Sequence, residues 1–584
     1  MSNRSWYVLG MSLFTAALVL FISLSFFVDI PLDTKEVQQL AEEKNEGLAK
    51  NLSKAPYGSI VNQVNYLKVS FDDYNQSLKD QFGISEQKAD QVIADLGEEA
   101  NRYDEKFIEN NFDAEQVKLV KGGTSWMIGR EWVSFEEFTK NFRWKVQDIN
   151  QQIAEEKGIP ASDRNDRLFA LLYAGTPAWL KSGWAAFLIF GLALLGGFVT
   201  MVPLLNVKAG IQHNGIYHRK RQNAMGSAWI VFAGLIGFYI VLYHFAHFIA
   251  PQAALLDPLA DKLAGNASSQ WFLYGFLYTI SMGLMGFRML LKYKGNAYQQ
   301  VRTVSVFFFQ VVFAFTLPQI LTRLQMPAYD MKSAWPLEYS FFFDYRIKDY
   351  LESGDLGLFL LFWGIVLFAV GVPVFTYFFG KRWYCSWVCG CGGLAETLGD
   401  PYRQLSDKSL KAWKIERWLV HGVLVFAVGM TALAAYTSFT GEAEILGINS
   451  YSVRSTYGFF IGFVFAGAVG TGFYPVMGNR VWCRFGCPLA AYLGIVQRFK
   501  SRFRITTNGG QCISCGNCST YCEMGIDVRA YAQKGQNIVR SSCVGCGVCA
   551  SVCPRGVLKL ENNGSVQFND NPILIGSNSV SLQN

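Results

Sequence analysis

Eight runs of predominantly apolar residues divide this chain of 584 residues: 6–28, 184–205, 227–250, 271–291, 304–324, 356–379, 418–439 and 457–476. A helix of about 20 residues crosses the hydrocarbon core of a bilayer, and only helices or closed barrels satisfy every backbone polar group there. Charged residues make up 17% of the chain, against about a quarter in soluble domains. The expected class is an α-helical polytopic membrane protein with about eight transmembrane helices. The first run is too long for a signal-peptide core and has no small-residue cleavage site, so residues 1–28 read as a retained anchor.

Loop charge sets an orientation. Lys208 and Arg219–Arg221 follow the second run, and Lys292, Lys294 and Arg302 the fourth. Lys381, Arg382, Arg403 and Lys408 follow the sixth, and Arg480, Arg484, Arg498 and Lys500 the eighth. The opposite short loops hold Lys262, then Lys332, Arg346 and Lys348, then Arg454. Basic loops stay in the cytoplasm, which puts both termini inside and residues 29–180 outside. An even number of spans agrees with that parity.

The net charge of +7 is segregated rather than spread as on a nucleic-acid-binding surface: residues 29–178 hold 27 acidic and 18 basic residues. Stretches such as "EQKADQVIADLGEEANRYDEKFIENN" have helical period, so 29–180 is expected to be a mainly helical extracytoplasmic domain. "GTSWMIGREWVSFEEF" is its one candidate for strands or a turn. Residues 181–500 form the membrane core, and 563–584 read as a disordered tail.

All thirteen cysteines lie beyond residue 384. "CISCGNCSTYC" begins at Cys512 and "CVGCGVCASVCP" at Cys543, so C-x2-C-x2-C-x3-C occurs twice. Three cysteines at that spacing wrap one iron–sulfur cube while the fourth reaches the neighbouring one. The expected ligands are Cys512, Cys515, Cys518 and Cys553 for one [4Fe–4S] cluster. Cys543, Cys546, Cys549 and Cys522 serve the other. Zinc also takes four thiolates, but seldom in a doubled three-plus-one spacing. Residues 501–562 are therefore expected to be a two-cluster ferredoxin-like α+β domain. Pro554 follows one fourth cysteine, and Glu523 stands in the equivalent place after the other.

"KRWYCSWVCGCGG" leaves the sixth run with Cys385, Cys389 and Cys391, and "NRVWCRFGCPL" leaves the eighth with Cys483 and Cys487. If each C-x3-C continued as a helix, both sulfurs would share a face. Two such helices would offer four thiolates, Cys385, Cys389, Cys483 and Cys487, to a third metal or Fe–S centre, with Cys391 as substitute or spare. The alternative is buried inert thiols.

Paired C-x3-C elements at span ends, followed by a double-cluster ferredoxin, resemble the membrane polyferredoxins of the NapH, NosR and CcoG type over about residues 356–560. The resemblance implies a bacterial inner-membrane protein that exchanges electrons between the quinone pool, or an outer partner, and cytoplasmic clusters. Redox proteins or subunits of a respiratory complex would be its partners. C-x3-C-P is intact at Cys483–Pro488 but reads C-x3-C-G-C at Cys385–Cys391. No covalent flavin is expected, because "GGTSW" around Thr124 is a poor match to the threonine attachment motif of the NosR type.

Five histidines remain. His421 and the pair His244 and His247 enter their runs from opposite ends, so no haem is expected between them. Intramembrane ionisable groups tend to be functional, and His244 and His247 are candidates for a quinone or proton site, beside the plainer reading of interfacial histidines. His213 and His218 sit in a basic loop suited to headgroups or the ferredoxin surface. The expected function is electron transfer, as in a subunit of a quinol oxidoreductase. The alternatives are an assembly factor that reduces a metal such as copper, or a redox-sensing scaffold.

Overall fold

The computed structural model describes residues 2–42, 46–97, 99–205, 226–441, 444–445 and 447–562. The basic loop with Lys208, His213, His218 and Arg219–Arg221, and the tail 563–584, lie outside the described residues. Two compact units divide the chain. One comprises 1–18, 187–240 and 257–584, the other 19–186 and 241–256.

The smaller unit is helical. Ile60–Phe82, Phe135–Glu156 and Arg164–Ala174 are among its principal helices. Among its described residues the only β pairing is the single bridge between Asp29 and Ser59. The stretch expected to give strands or a turn forms a 3-10 turn at Ser125–Met127, without a strand, and then starts a helix. Ser134 explains the outcome: its hydroxyl accepts from the Glu137 N–H at 3.1 Å, the first half of a capping box. The unit also draws in chain from two apolar runs. Gln252 donates to the Phe21 carbonyl at 2.9 Å and to the Ser25 hydroxyl at 2.7 Å, and Ser25 donates to the Phe248 carbonyl at 2.8 Å.

Helices stand at all eight apolar runs. Six are long and apolar enough to cross a membrane: Asn3–Phe27, Trp184–Leu205, Ala297–Arg323, Gly354–Phe379, Leu410–Thr440 and Ser450–Gly472. The third run is a bent pair, Ala228–His244 and Ala246–Ala254, with 108° between its parts. The fourth, Gln270–Lys292, carries Tyr274, Tyr278, Thr279, Ser281 and Arg288, and falls outside the six. Pro318 and Pro373 each follow a π-helical stretch, Gln310–Thr316 and Leu367–Gly371. A widened turn accommodates the donor that proline lacks. Gly10 and Gly196 bring two spans into backbone contact, since a Cβ on Gly10 would lie 2.6 Å from the Gly196 carbonyl oxygen. Small residues serve this purpose in membrane interfaces.

The C-terminal segment is α+β. Arg504–Thr507 pairs antiparallel with Leu558–Glu561, in the register Arg504 to Glu561 and Thr507 to Leu558. Gly516 and Gly547, at φ 78° and 76°, cap the matching short helices Asn517–Thr520 and Val548–Ser551. Side chains rarely tolerate that backbone. The core does not stop at residue 500. Val372, Tyr384, Leu489 and Leu493 share one buried cluster with Phe503, Ile526, Val528 and Val544.

Candidate iron–sulfur sites

The thirteen cysteines fall into three groups. Cys512, Cys515, Cys518 and Cys553 line one cavity together with Arg529 and Arg555. Cys515 is exposed at its mouth, and the Ile513 beside it is 54% exposed. In the second group burial, then the nearness of Cys546, Cys543 and Cys522, pushes the Cys549 thiol well above its ordinary value. In the third, burial and then Cys483, Cys385 and Cys389 do the same to Cys487. Each group brings the fourth cysteine of one repeat to the first three of the other, or pairs the two C-x3-C elements. Among the described residues no three Cys, His, Asp or Glu side chains are set to hold a single metal ion. Groups of four crowded thiols suit an iron–sulfur cube, which would also deprotonate them.

The C-x3-C elements are not continuous helices, which corrects the one-face expectation. After Cys385 and Cys483 the chain widens by one residue: the Cys389 N–H donates to the Tyr384 carbonyl at 2.8 Å, and that of Cys487 to Trp482 at 2.9 Å. Cys389 and Cys487 then occupy the N-caps of new helices, Gly390–Thr397 and Pro488–Lys500. Helix N-termini favour a thiolate, and the Ala490 N–H lies 3.4 Å from the Cys487 sulfur. Gly392 admits the fold-back, because a Cβ there would lie 2.1 Å from the Cys385 carbonyl oxygen. Cys391, in the first turn after Cys389, is exposed. A hydrogen bond with Cys391 lowers Cys389 to about 6.

The loop 540–546 is bound to membrane elements through its carbonyl oxygens. Gln497 donates to Arg540 at 2.7 Å and Cys543 at 2.8 Å, Ser386 to Val544 at 2.8 Å, Tyr298 to Gly545 at 2.8 Å, and Gln299 to Cys546 at 2.6 Å. Lys381 reaches Ser541 at 3.4 Å. These donors come from three different helical segments, so one cysteine loop is held by the membrane part.

Beside it lies a buried ionic network that sequence reasoning missed. Glu396 contacts both Arg302 and Arg480. Glu523 takes Arg480 at 3.1 Å and Arg403 at 3.6 Å. Asp400 takes Lys292 at 2.6 Å and Arg403 at 3.1 Å, with Arg288 at 4.0 Å. Burial would raise Glu523, but Arg480, Arg403 and Arg302 bring it down to about 2. Burial outweighs Arg302 at Glu396, which rises to about 7. Arg302, Arg403 and Arg480 are each 1% exposed, so several charges read as cytoplasmic loop residues are structural. Lys294, Lys411, Lys414, Arg498 and Lys500 remain exposed.

The histidine pair is split. His244 ends its helix and is exposed, whereas His247 lies past the bend, buried, with no hydrogen-bond partner on either ring nitrogen among the described residues. His421 is half-buried and bonds the Arg417 carbonyl at 2.6 Å through Nδ1. Thr124 is fully buried: its hydroxyl donates to the Val120 carbonyl at 2.7 Å and meets the Tyr103 hydroxyl at 2.8 Å. Arg323 caps a helix end at the Asp261 and Lys262 carbonyls.

A 4Fe–4S binding domain model matches twice, over residues 361–410 and 457–506, and a 4Fe–4S dicluster domain model matches residues 497–558. YccM of Escherichia coli K12, named provisionally as an electron transport protein, is 28% identical over 157 residues, 25% of this chain and 43% of its own. The methylamine utilization ferredoxin-type protein MauN is 27% identical over 185 residues in Paracoccus denitrificans, 30% of this chain and 59% of its own. In Methylobacillus flagellatus it is 24% identical over 157 residues, 26% of this chain and 51% of its own. The chain thus spans about half the length of the curated relatives it matches. No solved structure matches. Both C-x3-C elements lie inside repeated 4Fe–4S binding domains, and the eight C-terminal cysteines inside a 4Fe–4S dicluster domain.

Proposed function

We infer that the chain is a membrane-bound electron-transfer protein, a polyferredoxin of the kind its sequence resembles, with three [4Fe–4S] sites in series. Cys385, Cys389, Cys483 and Cys487 hold the site at the membrane edge. Cys543, Cys546, Cys549 and Cys522 hold the middle one, and Cys512, Cys515, Cys518 and Cys553 the outermost. Clusters bound there supply one-electron transfer.

The observation that carries this order is the loop 540–546, whose carbonyls are held by Gln497, Ser386, Tyr298 and Gln299. Ser386 directly follows Cys385, so the membrane-edge cysteines and the middle group share that anchor. Cys515, by contrast, is exposed, as the last member of a series that meets a soluble partner must be. The chain's own part is to fix the three thiol groups, exclude water from the inner two and leave the third accessible. The exposed Lys294, Lys411, Lys414, Arg498 and Lys500 support a cytoplasmic position for this face in a bacterial inner membrane. Quinol is the donor class on the membrane side, with His244 and His247 as candidates for proton exchange.

The test is anaerobic purification with iron and acid-labile sulfide counting, then EPR during titration with a quinol analogue. Roughly twelve irons per chain are expected, against roughly eight for the dicluster domain alone. Zinc without sulfide would refute the reading.

A further inference from the structure

The ionic network is not needed to ligate iron. Lys292, Arg302, Arg403, Arg480, Glu396, Asp400 and Glu523 are each at least nine-tenths buried. With all three carboxylates ionised, four cations leave one positive charge over, and a protonated Glu396 would leave two. Buried charge without a partner is costly. The surplus is also reaching for something: among the described residues Arg302 Nε and Nη1, Arg403 Nη1 and Arg480 Nε make no hydrogen bond. Cysteine sulfur is the anion at hand. Arg302 donates to Gln299 Oε1 at 2.6 Å, and that amide holds the Cys546 carbonyl; Arg480 lies 3.7 Å from the Cys483 sulfur.

Arg480 joins the two inner groups. Its Nη1 donates to the Cys385 carbonyl at 3.1 Å. Its Nη2 holds Glu396 and Glu523, and Glu523 adjoins Cys522. One guanidinium thus touches both C-x3-C elements and the acid next to the crossing cysteine of the middle group. Adding an electron to either centre adds one negative charge beside this surplus.

We propose that the network is a counter-charge shared by the membrane-edge and middle centres, with Arg480 as its positioning residue, which raises both reduction potentials and leaves the outermost centre unaffected. The proposal rests on the three-site reading above. Its basis is permanent charge and geometry; no titrating group is required. The cavity of the outermost group is lined by Arg529 and Arg555, and by none of these seven residues.

The test is an EPR-monitored potentiometric titration with dithionite, comparing the full-length wild type with Arg480→Gln and Arg480→Lys. In Arg480→Gln, the reduced-to-oxidised ratio of the two inner centres at a fixed potential should fall about tenfold, or about 59 mV for a one-electron couple. The outermost centre should not move. Arg480→Lys keeps the charge and should retain most of both potentials. Unmoved potentials, or an equal shift in all three centres, would overturn the proposal. Should Arg480→Gln lose iron, Asp400→Asn removes an opposing carboxylate that pairs with Lys292 and Arg403 and should raise the same two potentials; no rise there overturns it equally. Failure of the three-site reading is separately visible, as roughly eight irons in the wild type, and the shift of the middle centre alone would still test the network.

Discussion

Gln497 donates through Nε2 to the carbonyl oxygen of Cys543 at 2.8 Å, while its Oε1 accepts the Lys381 N–H at 2.6 Å. One amide therefore ties the end of the span Gly354–Phe379 to the helix Pro488–Lys500 and to the middle cysteine loop. Gln497→Ala would leave the Cys543 carbonyl and the Lys381 N–H without this partner, and the Arg540 carbonyl with the Cys543 N–H alone. An unsatisfied buried group costs about 1–3 kcal/mol. Amides across residues 538–546 should then exchange hydrogen at least about fivefold faster, with those of the sheet pairing Arg504–Thr507 little changed. Unchanged protection at 538–546 would mean that the loop is held elsewhere.

Cys483→Ser should remove only the membrane-edge centre. Cys483 is buried among Arg480, Cys389 and Cys385 and lies outside the dicluster match at 497–558. The iron count should fall from roughly twelve to roughly eight, with the ferredoxin-type EPR signals retained. Reduction of those signals by a quinol analogue should stop, while dithionite still reduces them. Undiminished reduction by quinol would exclude the membrane-edge centre from the path.

The cysteine spacing is a ligand pattern in itself, and the four residues of one crossed set, Cys512, Cys515, Cys518 and Cys553, line one cavity. The eight apolar runs were legible as helices, yet the bend after His244 was not. No proline or glycine marks the sequence there, and a tertiary packing of residues 246–254 decides it. The buried ions were hidden for a different reason. Arg302, Arg403 and Arg480 sit where cytoplasmic loop charges belong, and only their partners distinguish them. The available hints were acids in apolar surroundings, Glu396 in "CGGLAETLGD" and Glu523 in place of the proline that follows the other fourth cysteine. The widened C-x3-C turns could have been suspected from Pro488 alone, since proline opens a helix more readily than it continues one.

Gly392→Ala tests the fold-back between Cys385 and Cys389. The added methyl would lie 2.1 Å from the Cys385 carbonyl oxygen and 3.0 Å from Arg480 Nη1. Overpacking of that kind costs about 1–3 kcal/mol, and the strain falls on the turn that sets the Cys385 and Cys389 sulfurs. The membrane-edge EPR signal should broaden or vanish while the two C-terminal signals persist. An unaltered signal would show that the turn can yield without moving its sulfurs.

Tyr103→Phe tests the core of the smaller helical unit through pH. Thr124 donates its own proton to the Val120 carbonyl, so it receives the Tyr103 hydroxyl as an acceptor, and both side chains are buried. Burial pushes Tyr103 from the ordinary value of 10 up to about 12. A folded value above the unfolded one means that the folded state keeps its proton longer. The resulting stability is fully present below about pH 10 and is lost as pH rises through about 12. It amounts to about 2–3 kcal/mol at one pH unit per 1.4 kcal/mol. Tyrosinate absorbance, taken as wild type minus Tyr103→Phe, should show one phenol titrating near the upper value, together with unfolding of the unit. The variant should lose about 1 kcal/mol at neutral pH through the missing hydrogen bond and be the less sensitive of the two to alkali. A phenol that titrates at its ordinary value in the difference would mean that solvent reaches Tyr103, and that Thr124 is open as well.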